Sequence, residues 1–108
     1  MFWTADVRLS LMMSSDQVRA EIVAAIRRYI PSSRLQIRLY GSRAAGTFTP
    51  VSDFDVALDM GSRIDGSILE RIRGDLEDSH IPYRVDIVDL ASTTPAFRTL
   101  AMADAIPW

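Results

Sequence analysis

Between Arg34 and Asp59 the chain alternates apolar and polar residues twice, and the two alternating runs are separated by a glycine-serine turn. In the first run Leu35, Ile37 and Leu39 share one side, with Arg34, Gln36, Arg38 and Tyr40 on the other. In the second, Phe54, Val56 and Leu58 oppose Asp53, Asp55, Ala57 and Asp59. Side chains of a strand alternate between the two faces of its sheet, so both runs predict strands with one buried face. The polar face of the second strand then carries a row of carboxylates. A third run, Tyr83 to Val88, follows Pro82, with Tyr83, Val85 and Ile87 opposite Arg84, Asp86 and Val88.

Helical patterns fill the spaces between these strands. Ser14 and Gln17 form a capping-box pair ahead of a helix running to about Tyr29, whose stripe is Val18, Ile22, Ile26, Tyr29 and Ile30. Ser67 and Glu70 repeat the capping pattern before Ile68, Leu69, Ile72 and Leu76, which predicts a second amphipathic helix to about Ser79. Pro95 suits the first turn of a short C-terminal helix carrying Phe97, Leu100, Ala101 and Ile106, ended by Pro107. Strands alternating with helices predict an α/β (α+β) domain: a small mixed sheet of three to four strands, helices on one face and carboxylates on the other. At 108 residues the whole chain, 1–108, is expected to form one domain.

Composition narrows the function classes. A net charge of −2 lacks the strongly basic footprint of stable nucleic-acid binders. With no cysteine there is neither a disulfide framework nor a thiolate metal site, which fits a reducing cytoplasm. The first residues, Met1 to Met13, mix Asp6 and Arg8 into a short apolar run and make an unconvincing signal peptide. No stretch approaches the roughly 20 apolar residues that span a bilayer. A soluble, cytoplasmic protein is the expectation. Phe2, Trp3 and Trp108 near the termini suggest packing onto the domain or a partner.

The chemistry concentrates on two short segments. Carboxylates at i and i+2 on a strand leave one face about 7 Å apart, a spacing that can clamp a hard divalent cation. Magnesium takes one or two protein carboxylates and completes its octahedron with substrate phosphates and water. A strand ending in Gly41-Ser42 before a helical turn presents backbone amides and a hydroxyl to phosphate, and glycine lets the phosphate approach the backbone.

Leu39-Tyr40-Gly41-Ser42-Arg43, a spacer from Arg43 to Ser52, and Asp53-Phe54-Asp55-Val56 resemble the signature of the DNA polymerase beta nucleotidyltransferase superfamily. The string Gly41 to Gly46 followed by Ser52-Asp53 is similar to the minimal nucleotidyltransferases, the MntA-like antitoxins that accompany HEPN-domain toxins. That resemblance implies metal binding and catalysis by Asp53, Asp55 and Asp86, with Asp86 in Arg84-Val85-Asp86-Ile87-Val88-Asp89-Leu90 as the third carboxylate and Asp89 as its competitor. It also implies nucleotide binding by Gly41, Ser42 and Arg43, magnesium as cofactor, and ATP as substrate. AMP would pass to a tyrosine hydroxyl of a HEPN-domain toxin, making the chain the antitoxin of a toxin-antitoxin pair. Since the chain shows no acceptor-binding domain, a partner protein or a second copy would supply that surface. Ala45 stands where relatives often carry a second basic residue, which implies a weaker hold on triphosphate. The rival reading is a non-catalytic module that neutralises its partner by covering it. Asp59, near the end of its strand, is expected to be solvated.

Overall fold

A computed structural model describes residues 13–108. Helix α1 spans Ser15–Tyr29, strand β1 Gln36–Tyr40, the single helical turn α2 Ser42–Ala45, and strand β2 Phe54–Asp59. Helix α3 follows at Gly66–Glu77, strand β3 at Val85–Asp89, a 3-10 turn at Leu90–Ser92, helix α4 at Pro95–Met102, and strand β4 at Ile106–Pro107. The four strands form one mixed sheet in the order β3-β2-β1-β4. Strand β1 runs antiparallel to β2 and β4, while β2 and β3 are parallel and joined through α3. The expectation for Phe2 and Trp3 lies outside the described residues.

The capping box at α1 forms as expected: Gln17 N–H donates to Ser14 Oγ at 3.1 Å, and Ser14 N–H donates to Gln17 Oε1 at 2.7 Å. Helix α3 starts differently. Asp65, not Ser67, is its cap, accepting from the Ser67 amide at 2.8 Å and from the Ser67 hydroxyl at 2.6 Å. A carboxylate outcompetes a hydroxyl for the first amides because it accepts in charged form at the positive end of the helix. The helix ends at Glu77 rather than Ser79, and strands β1 and β3 run Gln36–Tyr40 and Val85–Asp89 rather than from Arg34 and Tyr83.

Helices α1 and α3 cover the apolar face of the sheet. Val18, Ile22 and Ile26 from α1 and Leu69, Ile72 and Leu76 from α3 meet Ile37, Leu39, Phe54, Val56, Leu58 and Ile87 in one core. Outside the core, Asp75 ties the helices together, accepting from Arg28 and from the Tyr29 hydroxyl, both at 2.8 Å. Arg27 closes the turn into β1 by donating to the carbonyls of Ser32 at 2.7 Å and Leu35 at 2.9 Å.

Helix α4 has Pro95 at its start and Thr94 as its cap, and it sits against the polar face. Asp59 holds it there: the carboxylate lies 3.2 Å from an Arg98 nitrogen and 3.6 Å from Arg38, and also accepts the Gly61 amide at 3.0 Å. Asp59 is therefore a structural anion paired with two arginines rather than a solvated one. Ile106 belongs to β4, not to the helix, pairing with Leu39 while Pro107 pairs with Arg38. Proline is tolerated because β4 is an edge strand, where a missing donor faces no neighbour. The ladder continues through Trp108 N–H to Ile37 C=O at 2.9 Å. The Trp108 ring packs on the core, 6.2 Å from that of Phe54.

Ile22 is fully buried and Leu100 is 77% exposed, so their truncations should separate cleanly. Ile22→Ala is expected to lower unfolding free energy by about 2–5 kcal/mol in urea titration. Leu100→Ala should stay within about 0.5 kcal/mol of the parent.

Candidate active site

Register brings three polar side chains into one row across the sheet. Tyr40 is the Cα partner of Asp55 in the antiparallel pair, and Asp55 is the partner of Asp86 in the parallel pair. Since neighbouring paired residues point to the same face, Tyr40, Asp55 and Asp86 line up there. Asp53 shares their parity but precedes the first residue of β2, Phe54, whose amide donates to the Arg84 carbonyl at 2.9 Å. Asp53 and Asp86 are exposed, and Asp55 is half-buried between them.

Gly41 ends this row. Its φ of 75° and ψ of −157° place it in a region open essentially to glycine alone. Space demands glycine independently, because an added Cβ would overlap Asp55 Oδ2 and lie 3.2 Å from Asp55 Cγ. The turn can thus bring its backbone directly against the carboxylate. Beyond it, the Gly41 carbonyl accepts from the Ala44 and Ala45 amides at 3.1 and 3.0 Å, which forms α2 and sets Ser42 at its first position.

Electrostatics single out Asp55. Burial raises its pKa above the ordinary 3.8, and the charges of Asp86 and Asp53 raise it further, while Arg84 acts in the opposite direction. The Tyr40 phenol is pushed up to about 12, first by burial and then by Asp55 and Asp86. Tyr40 also meets Phe97 edge to face, with centroids 5.9 Å apart at 82°. Beside this pair a cavity of about 380 Å³ opens between α4 and the Gly41-Ser42 turn, reaching Ala45, Leu100 and Asp104.

Asp89 is excluded from the row. Only 3% exposed, it accepts from the Ile64 and Ala91 amides at 2.9 and 3.1 Å and from Ser92 Oγ at 3.0 Å. Those bonds fix the 3-10 turn after β3. Arg43, expected to bind nucleotide, has its side chain on the loop before β2: its Nε donates to the Ser52 carbonyl at 3.0 Å, and a terminal nitrogen reaches the Pro50 carbonyl at 3.4 Å. Tyr40, Phe97 and the second use of Arg43 were missed in the sequence. Tyr40 could have been found from its parity with Arg38 and its place next to the turn, whereas Phe97 comes from a distant helix with no local signal.

Among the described residues, no three carboxylate or histidine side chains converge into a complete metal cage. The donor set still fits a hard cation shared with a substrate. Asp55 and Asp86 stand on paired positions with like charges that Arg84 offsets only in part, and magnesium needs only one or two carboxylates when phosphates supply the other oxygens.

Residues 30–106 match the family model described as polymerase beta, nucleotidyltransferase. A probable protein adenylyltransferase MntA of Haemophilus influenzae is 33% identical over 61 residues, which cover 56% of this chain and 54% of that protein. The chain thus spans about half the length of that relative. A minimal nucleotidyltransferase of known structure superposes with a TM-score of 0.67 at 26% identity, covering 90% of this chain and 98% of the other. A variant of the toxin-antitoxin MntA-HpeT superposes with a TM-score of 0.67 at 25% identity, over 83% of this chain and 70% of that one.

Two stability measurements test the geometry. Gly41→Ala should cost about 1–3 kcal/mol from backbone strain, increased by the clash with Asp55. Gly46→Ala, where φ is 81° but no atom lies within 4 Å of the added Cβ, should cost only about 1–2 kcal/mol. For Asp55 the sign follows from its raised pKa. The folded state retains a proton that the unfolded chain releases, so this stabilisation is present below the unfolded value and is lost as pH rises through the folded value. Asp55→Asn should therefore flatten that limb of the stability profile and raise the melting temperature at neutral pH by a few degrees, as read by circular dichroism. With its glycine-only turn set against a row of carboxylates and the family model matched over residues 30–106, the chain belongs to the polymerase beta nucleotidyltransferase family.

Proposed function

We propose that this chain transfers AMP from ATP to a hydroxyl of a partner protein, in the manner of an antitoxin that modifies its toxin. The observation that carries this reading is the juxtaposition of the Gly41 backbone with the Asp55 carboxylate, in register with Asp86. Ser42 Oγ and the first amides of the α2 turn, those of Ser42 and Arg43, would receive the β and γ phosphates, at the side of the site where Gly41 excludes any side chain. Asp53, Asp55 and Asp86 would hold magnesium, which supplies charge neutralisation on the phosphates and template geometry for in-line displacement. Asp86, exposed at the outer end of the row, would take the proton of the attacking hydroxyl.

Attack of that hydroxyl on the α-phosphorus forms a phosphodiester and breaks the bond to the β-phosphate, so pyrophosphate leaves. The surface beside the site suits a protein acceptor. Phe48 and Val51, 47% and 86% exposed, precede Asp53 in the loop, and Leu100 lies across the cavity at 77%. Apolar rims of this kind mark surfaces that other proteins cover. The relative MntA is a protein adenylyltransferase by name, and MntA-HpeT is a toxin-antitoxin pair, which supports a toxin as the partner. We assign the acceptor to a tyrosine of a HEPN-domain toxin and the setting to the cytoplasm.

Incubation with α-labelled ATP, magnesium and the product of the neighbouring gene should label that partner. The label should fall to background in an Asp53→Ala, Asp55→Ala double variant and on chelation of magnesium. Neutralisation of the partner by the same double variant, with no label in the wild type, would replace catalysis by simple cover.

A further inference from the structure

Arg43 leaves the α2 turn and grips the loop that leads into β2. Its Nε donates to the Ser52 carbonyl at 3.0 Å, and its terminal nitrogen reaches Pro50. The guanidinium carbon also lies 4.0 Å from the centroid of the Phe54 ring, 4.7 Å from Tyr83 and 4.9 Å from Phe48. Ser52 and Phe54 are the residues on either side of Asp53. One side chain therefore holds the peptide entering Asp53 by a hydrogen bond and the residue leaving it by cation-π contact. Phe54 is itself fixed, 2% exposed and 5.2 Å from Tyr83.

Asp53 needs such a clamp. It stands one residue before the first paired position of β2, and the sheet anchors only the peptide that follows it, through the Phe54 amide on the Arg84 carbonyl at 2.9 Å. The loop before it has its own local closure, with Thr49 N–H donating to Ser52 Oγ at 2.9 Å and Ser52 N–H to the Thr49 carbonyl at 3.1 Å. Neither bond connects that loop to the Gly41-Ser42 turn. Arg43 does, because it follows that turn directly.

We infer that Arg43 is a positioning residue that sets Asp53 relative to the Gly41-Ser42 turn, rather than a phosphate ligand. The inference rests on the proposed nucleotidyl transfer for its kinetic consequence, but its structural consequence is independent of any activity. Lysine cannot substitute, since a single ammonium lacks the planar fork that reaches two carbonyls while stacking on a ring. A displacement of about 1 Å at a reacting group can cost about 100-fold in rate.

The test pairs kinetics with backbone dynamics in Arg43→Lys. The expected result is kcat for labelling lowered by about 10- to 100-fold with KM for ATP nearly constant, together with a fall in the NMR order parameter of the Asp53 amide. Preserved kcat, with KM unchanged or raised, would identify a phosphate contact, which lysine can make as a point charge, and would overturn the inference. An unchanged Asp53 order parameter would overturn it whatever the kinetics. If the wild type transfers no label, the proposed function fails while the order parameter still decides the role of Arg43. Phe48→Leu removes the most exposed ring of the clamp and serves if the lysine variant does not fold. It should shift the Asp53 order parameter in the same direction by less, and no shift would count against the clamp.

Discussion

Holding Asp55 beside Asp86 works against folding, because two like charges on paired backbone positions repel and burial of Asp55 strengthens that repulsion. The sheet sustains it through the opposite face of the same strands. Phe54, Val56 and Leu58 alternate with the carboxylates of β2, and each is at most 2% exposed beneath α1 and α3. Moving Asp55 away from Asp86 by slipping the register one residue would turn that apolar set towards solvent. Hydrophobic burial thus fixes an electrostatic arrangement that the charges alone would dissolve. Strained sites of this kind are where stability is exchanged for chemistry.

The same coupling explains which parts of the molecule were legible in the sequence. Strand faces are set by a period of two, so the alternation at Ile37 and Leu39 and at Phe54, Val56 and Leu58 gave the buried face and the carboxylate face directly. The Ser14-Gln17 box was legible because both partners lie within one turn. The α3 cap was misplaced for a related reason. Asp65 and Ser67 are both capping residue types two positions apart, and the pattern alone does not rank them.

Strand β4 had no such local signal. Two residues, one of them proline, are too few for a period, and their extended form depends on pairing with Leu39 and Arg38. Asp59 and Arg43 are instances of the same difficulty. The partners of Asp59 include Arg98, 39 residues away, and the clamp around Arg43 draws on Tyr83 as well as Phe48 and Phe54. The carboxylate row was readable as parity, yet what surrounds it is assembled by tertiary contact.

Those tertiary contacts give the two flanks of the row different characters. On the α4 side the wall is a helix held by Asp59 to Arg98 and Arg38, with Phe97 against Tyr40 and a cavity beside the turn. Arg98 is 49% exposed, so its share of that attachment is weakened by salt, and packing at Phe97 and Ala101 carries the rest. On the Asp53 side the wall is a loop with no regular structure between Gly46 and β2, closed by Thr49, Ser52 and the Arg43 clamp. The loop also presents Phe48 and Val51 outward. A concave flank next to the phosphate turn suits a small ligand, and a projecting apolar loop next to an exposed carboxylate suits a protein surface. The polar face between them is where the two would have to meet, and it is the part of the sheet that α1 and α3 leave uncovered.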